Sequence, residues 1–254
     1  MQIARFTTGD DPHYAIVEGS DLVVLTGDPL YTPLTPTGQR VPIETTRLLA
    51  PVIPRSKVVA FGRNYAEHAA ELGNEVPELP LVFIKPNTTV VGPDDPIVLP
   101  AYSQDVHHEA ELAVVISRIC KDLPAERANE VILGYTAAND VTARDVQRSD
   151  KTWTRGKMFD TSCPLGPVLV TDLDVSDLRI QARVDGEVRQ DGSTAQMIHS
   201  VPDLIAYAST LFTLLPGDVI LTGTPAGVGP IREGQRVEVE IEGIGVLGNP
   251  VVRR

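Results

Sequence analysis

The chain has 254 residues, 34 acidic against 22 basic side chains, a formal charge of −12, and 42% hydrophobic content. These proportions describe one folded domain of ordinary to large size, or one domain with an appendage, and argue against disorder. The acidic balance excludes nucleic acid and anionic membranes as expected partners, because both call for a basic face that displaces counterions.

No run of 18 apolar residues occurs, so no membrane span is expected. The opening segment carries early acids and no apolar core, so no signal peptide is read and a cytoplasmic location is expected. Cys120 and Cys163 stand outside any CxxC and suit free thiols in a reducing compartment. Only five of the basic residues are lysines, which makes each lysine informative.

In chain order, residues 1–55 read as a small N-terminal β module and residues 56–254 as the main domain. Ala15–Val17 and Leu22–Leu25 flank Glu18-Gly19-Ser20-Asp21 and predict a hairpin. The stretch holding Pro29, Pro33, Pro36 and Pro42 reads as loop. Apolar runs predict strands at Lys57–Phe61, Ile97–Leu99 and Leu112–Ile116. Tyr65–Leu72 and Glu126–Leu133 read as short helices. Ile180, Ala182 and Val184 alternate with polar residues before Asp185-Gly186, a hairpin turn signal. Ser200 and Asp203 resemble a capping box, and Leu204, Ile205, Ala208, Leu211, Phe212 and Leu215 share one helical stripe stopped by Pro216-Gly217. Val237, Val239 and Ile241 alternate with Glu238, Glu240 and Glu242, so part of the acidity is the wet face of a sheet. The fold class is α+β and β-rich.

GxxxxGK[ST], GxSxG and HExxH are missing, and no GxGxxG leads from a strand into a helix. The glycine-rich Gly223–Gly229 segment does not open a helix, which disfavours a phosphate loop. Glu109-x-Glu111 places two carboxylates on one face at the mouth of an apolar strand. On its own this is more often a solvated face, but a hard divalent cation would relieve the repulsion. Asp140 follows small and apolar residues that would deliver it to a pocket rim; Asp145 and Asp150 are the blander rivals. His68 and Glu71 at i,i+3 share a helix face, and a carboxylate that orients an imidazole makes a general base, although an ordinary surface pair is the commoner case. Lys157, set among Gly156, Cys163 and Pro164, suits an enolate or carboxylate. Lys85 ends an apolar strand and either points at the same pocket or snorkels.

Taken together these residues resemble the fumarylacetoacetate hydrolase family. The resemblance rests on Gly62-Arg63-Asn64-Tyr65-x-x-His68, Glu109-x-Glu111, Asn139–Gln147, Lys157-x-Phe159-Asp160, Asp218–Gly229 and Gly243–Val251, in family order across residues 57–252. It implies a mixed β-sandwich roll and a homodimer. It implies Mg²⁺ or Mn²⁺ at Glu109, Glu111 and Asp140, with Ca²⁺ able to substitute in vitro. It implies a His68–Glu71 pair on a lid, Lys157 at the reacting centre, and Gln147, Gly223 and Thr224 at the substrate carboxylate. Arg63 and Lys85 join them as substrate-binding candidates.

The implied chemistry is metal-assisted enolate formation from a 2-oxo or 2,4-dioxo acid. The first expectation is C–C bond hydrolysis of an acylpyruvate-type acid, because the His68–Glu71 pair suits water activation. The alternative is a 2-hydroxyhepta-2,4-diene-1,7-dioate isomerase or a related decarboxylase of aromatic breakdown. A third reading, from another class, is a catalytically silent binding protein.

Overall fold

The computed structural model describes residues 1–253 apart from 10, 72 and 74. Leu72, the expected end of the first helix, and Arg254, the end of the main domain, lie outside the described residues. The chain is β-rich, as its patterning implies. Among the described residues, the largest sheet has twelve strands. Its centre is Ala110–Ile116, hydrogen-bonded on one side to Ile132–Asn139 and on the other to Val219–Leu221. Val58–Gly62 and Leu81–Lys85 continue the second side.

Ala110–Ile116 is buried at every position. That is why its sequence, Glu111 apart, is an apolar run with no polar alternation. Leu112, Val114 and Ile116 enter a core shared with the second sheet and with the helix Val201–Leu211. Ala113 and Val115 enter another core on the opposite face, with Val58, Ala60 and Leu221. Glu111 has the parity of Ala113 and Val115, so a carboxylate is set into the second face.

The second sheet has five strands, in the order Glu187–Ser193, Arg179–Val184, Arg236–Ile241, Gly245–Arg253 and Ile97–Leu99. The expected hairpin at Asp185-Gly186 joins its first two strands. In Arg236–Ile241 the three apolar residues are buried, while Glu238 and Glu240 are partly covered and both meet Arg183 on the neighbouring strand. A two-residue strand, Gly229–Pro230, pairs with Val106–His108 in a small third sheet.

The N-terminal strands belong to the large sheet. Gln2–Thr7 pairs with Cys163–Val170, and the expected hairpin, His13–Glu18 with Asp21–Leu25, extends outward from it. The proline-rich stretch is not all loop, because Pro36–Pro42 forms the exposed edge strand. Its prolines sit at the two ends, where a missing N–H costs no inner ladder bond.

Two helix readings also change. Ala125–Val131 is a 3-10 segment, and Ile132 and Leu133 already belong to the next strand. The helix from Val201 carries the expected capping box at Ser200 and Asp203 but ends at Leu211. Leu211 is exposed, and Leu214, not Leu215, is the fully buried residue beyond it. Among the described residues, no helix is long and apolar enough to cross a membrane.

Candidate active site

Glu109 sits in a one-residue break between Val106–His108 and Ala110–Ile116. Asn139 and Asp140, at the end of the neighbouring strand, hold this break open. The Glu109 amide donates to Asn139 Oδ1 at 2.9 Å, and the Asp140 amide donates to the Glu109 carbonyl at 2.9 Å. Three carboxylates thereby converge. Ligand oxygens of Glu109, Glu111 and Asp140 lie within 4.8 Å of one another, and all three residues are buried.

Basic groups close around them. Lys157 Nζ donates to Glu109 Oε2 at 2.6 Å and to Asp140 Oδ2 at 2.7 Å. Lys85 Nζ donates to Asp140 Oδ1 at 2.6 Å and to the Lys157 carbonyl. Arg144 donates to Glu109 Oε1 and, at 2.7 Å, to Gln147 Oε1.

These contacts separate the acids. Burial pushes Glu109 up, but Lys157 and Arg144 outweigh it and hold the carboxyl well below the usual range. Burial raises Glu111, and Asp140 and Glu109 raise it further, well above that range. The Gly223 amide, donating to Glu111 Oε2 at 2.7 Å, offsets only part of this. Burial opposes a charged Lys157, but Asp140 and Glu109 hold its pKa above the ordinary lysine value. A divalent cation among the three carboxylates would remove the cost of ionising Glu111, and an all-oxygen donor set suits a hard ion. The residues therefore fit Mg²⁺ or Mn²⁺.

The triad opens into a cavity of about 430 Å³ lined also by His68, Glu71, Arg63, Gln147, Lys157 and Thr224. His68 and Glu71 come from the short helix Ala66–Glu71, with Nδ1 and Oε2 3.4 Å apart. Glu71 also accepts the Gly227 amide at 3.1 Å. Burial pushes the His68 pKa down, with Glu109 pulling against it, so the imidazole is favoured in its neutral form. Gly227, at φ +96°, packs so closely on the strand Glu187–Ser193 that a Cβ would stand 2.2 Å from the Arg189 carbonyl. Gly223, at φ +95°, leaves its amide free for Glu111 only because no Cβ meets Asn64.

Two expected substrate contacts stand elsewhere. Gly223 braces Glu111 from behind. Lys85 is wholly buried and does not line the cavity; it meets the far oxygen of Asp140. It neither snorkels nor reaches the opening. Of the rival acids, Asp145 accepts from Ser103 and two backbone amides, and Asp150 accepts the Arg155 amide.

Sequence reasoning gave no site role to several lining residues: Arg148, Phe61 and Trp153, and Gly62 and Arg144, which it quoted only as parts of motifs. Arg144 and Gln147 at i,i+3 were the available signal. It also assigned no role to the scaffold residue Asn64, quoted only within a motif, and missed Gln190. Asn64 donates to the His199 and Thr222 carbonyls at 3.0 and 2.8 Å and accepts the His199 amide at 2.8 Å. Gln190 donates to Thr224 Oγ1 at 2.7 Å and to the Pro225 carbonyl at 2.8 Å.

Residues 57–252 match the fumarylacetoacetate (FAA) hydrolase C-terminal family, and residues 1–51 match the Rv2993c-like N-terminal family. The chain belongs to the fumarylacetoacetate hydrolase family. Members of this family are enzymes. A 2-hydroxyhepta-2,4-diene-1,7-dioate isomerase structure from Mycobacterium marinum is 48% identical, covers 100% of this chain and 99% of its own, and superposes with a TM-score of 0.92. The human mitochondrial oxaloacetate tautomerase FAHD2A is 48% identical over 84% of this chain and 71% of its own length. A fumarylpyruvate hydrolase from Pseudomonas aeruginosa, solved with Mn²⁺ and pyruvate, is 36% identical over 82% of this chain and 92% of its own, with a TM-score of 0.75.

Proposed function

We propose that this family member is a Mg²⁺- or Mn²⁺-dependent enzyme that moves a proton on a small 2-oxo dicarboxylic acid through its enolate. The reaction class is keto–enol tautomerisation or migration of a conjugated double bond. The observation that carries the reading is one cavity holding a buried carboxylate triad with Lys157 on its floor and a His68–Glu71 pair on its wall.

Glu109, Glu111 and Asp140 would hold the cation, which when bound supplies Lewis-acid polarisation of the 2-oxo group. Formally, the three carboxylates are matched in number by Lys85, Lys157 and Arg144, which pair with Glu109 and Asp140, so the cluster is already balanced. A divalent ion would leave the cavity positive and suited to a dianion. Lys157, fixed by two carboxylates, presents its charge where the enolate oxygen develops. His68 donates its Nδ1–H to the Glu71 carboxylate as a hydrogen bond and so keeps a lone pair on Nε2, the atom that takes the proton from C3. The same imidazole returns that proton to oxygen or to a conjugated carbon. Arg63 and Arg148 on the cavity lining supply charge for the second carboxylate.

C–C bond hydrolysis of an acylpyruvate-type acid, the first expectation from the sequence, keeps its own support. Neutral His68 is equally suited to deprotonate water, and the Pseudomonas aeruginosa relative is a hydrolase by name. The balance moves toward proton transfer because the M. marinum and human relatives, more similar in sequence, are named an isomerase and a tautomerase.

The test is a panel of enol-oxaloacetate, 2-hydroxyhepta-2,4-diene-1,7-dioate and an acylpyruvate, followed by ultraviolet absorbance and proton NMR with and without chelator. Chelator-sensitive enol decay or double-bond migration without new carboxylic acid products is expected. Cleavage of the acylpyruvate with no effect on the other two would sink the reading in favour of hydrolysis.

A further inference from the structure

A second cavity, of about 240 Å³, lies against the small third sheet and is lined by His108, Arg189, Gly229, Pro230, Arg232 and Gln235. None of these residues lines the catalytic cavity. Its inner wall is the imidazole of His108, which is wholly buried. His108 Nδ1 lies 3.0 Å from Gln190 Oε1. The orientation of that amide is fixed: its nitrogen donates to the Pro225 carbonyl, and its oxygen takes the Ala110 amide at 2.9 Å. Nδ1 therefore carries the proton, and Nε2 of the neutral ring is an acceptor.

Nε2 has no hydrogen-bond partner among the described residues. It faces Gly229, where a Cβ would stand 3.7 Å away, so no side chain of that cavity-lining residue covers it. A buried acceptor without a donor marks a place for one. Two arginines, Arg189 and Arg232, also line the cavity. Arg189 is held by Glu187 at 2.8 Å, while no partner is found for the Arg232 guanidinium among the described residues. The Gln235 side chain is occupied, with its oxygen taking the Arg232 amide and its nitrogen donating to Asp185.

The cavity therefore asks for negative oxygen on one side and an O–H donor on the other. We propose that it is a second ligand site, for a small oxyanion that carries a hydroxyl donor: hydrogenphosphate or a hydroxycarboxylate. The oxyanion meets Arg232 and Arg189, whose planar forks match carboxylate and phosphate oxygens. The hydroxyl donates to His108 Nε2. Gln190 stands between the two cavities, bonding His108 on one side and Thr224 on the other.

The test is isothermal titration calorimetry of the full, metal-loaded chain with two matched pairs, phosphate against sulfate and L-malate against succinate. Each pair keeps the anion and removes the hydroxyl at neutral pH. Phosphate, malate or both should bind about tenfold more tightly than the partner lacking the donor. Phosphate alone would assign the site to phosphates, and malate alone to hydroxy acids. Arg232→Ala, a change of an exposed side chain, should weaken the bound member about tenfold, and Gly229→Val, which fills the cavity, should abolish it. Equal binding within both pairs, binding unchanged in Arg232→Ala, or no binding by any probe would overturn the proposal.

Discussion

Glu109, Glu111 and Asp140 on the floor of the catalytic cavity are 1–3% exposed and stand at the ends of central strands. His68 and Glu71 on the wall ride a helix of six residues, and the Glu71 side chain is 34% exposed. The floor is braced by Asn139 and Lys85 at strand ends, by the Gly223 amide just beyond a strand, and by Lys157 from the short helix Thr154–Lys157. The wall is fastened by a few long-range bonds, those of Asn64 to His199 and Thr222 and of Glu71 to Gly227. Charge stabilisation is thus assigned to the rigid centre of the molecule and proton handling to a small element at its edge. The two can be broken separately.

Glu111→Gln attacks the floor and should have the largest effect. It removes one ionised ligand while leaving an amide oxygen for the Gly223 N–H. Turnover should fall by about 10⁴-fold, because Lewis-acid stabilisation supplies several kcal/mol of the barrier reduction. Metal titration should show the matching loss of affinity. Turnover within tenfold of the parent would remove Glu111 from the triad's work.

His68→Gln attacks the wall. Loss of a general base typically costs about 10²–10⁴-fold, and here kcat should carry the loss while metal affinity stays unchanged. A parallel loss of metal affinity would show that wall and floor are one unit.

Glu71→Gln is milder, at roughly tenfold in kcat, the lower end for a group that orients another. Its sharper signature is in pH. Burial lowers the His68 pKa, so the working neutral form of the parent persists below the ordinary imidazole value of about 6.5. The hydrogen bond from Glu71 works against that shift and raises the pKa. Removing it should therefore move the acid limb of the rate profile further toward low pH even as the plateau falls. A limb that moves toward higher pH would contradict the pairing.

The floor was far more legible in the sequence than the wall's fastenings. Glu109, Glu111 and Lys157 are charged residues set in apolar or small-residue stretches, and a charge there calls for a partner. Asn64, Arg144 and Gln190 carry no such mark. Their roles exist only through partners such as His199, Glu109 and Thr224, which lie 34 to 135 positions away. Lys85 was placed on the right strand, but nothing local told which end of Asp140 it would meet. The same divide runs through the fold. Buried strands and the Ser200 capping box follow from local pattern. The edge strand Pro36–Pro42 and the early helix end at Leu211 are set by tertiary neighbours.

Ser200→Ala gives the smallest expected effect and the most delicate test of the separation. Ser200 Oγ accepts the Asp203 amide, and the Asp203 carboxylate accepts the Ser200 amide in return, closing the N-terminus of Val201–Leu211. Losing the cap should cost about 1 kcal/mol and lower Tm by roughly 2–4 °C in a chain of this size. The neighbouring residue, His199, is the one that Asn64 grips on both its amide and its carbonyl. If the helix start is fastened independently of that grip, kcat and metal affinity will match the parent at temperatures well below Tm. If kcat falls while metal affinity holds, the cap, the Asn64 clamp and the His68 helix form one mechanical unit, and the wall reaches from the cavity edge into the core that Val201–Leu211 shares with the second sheet.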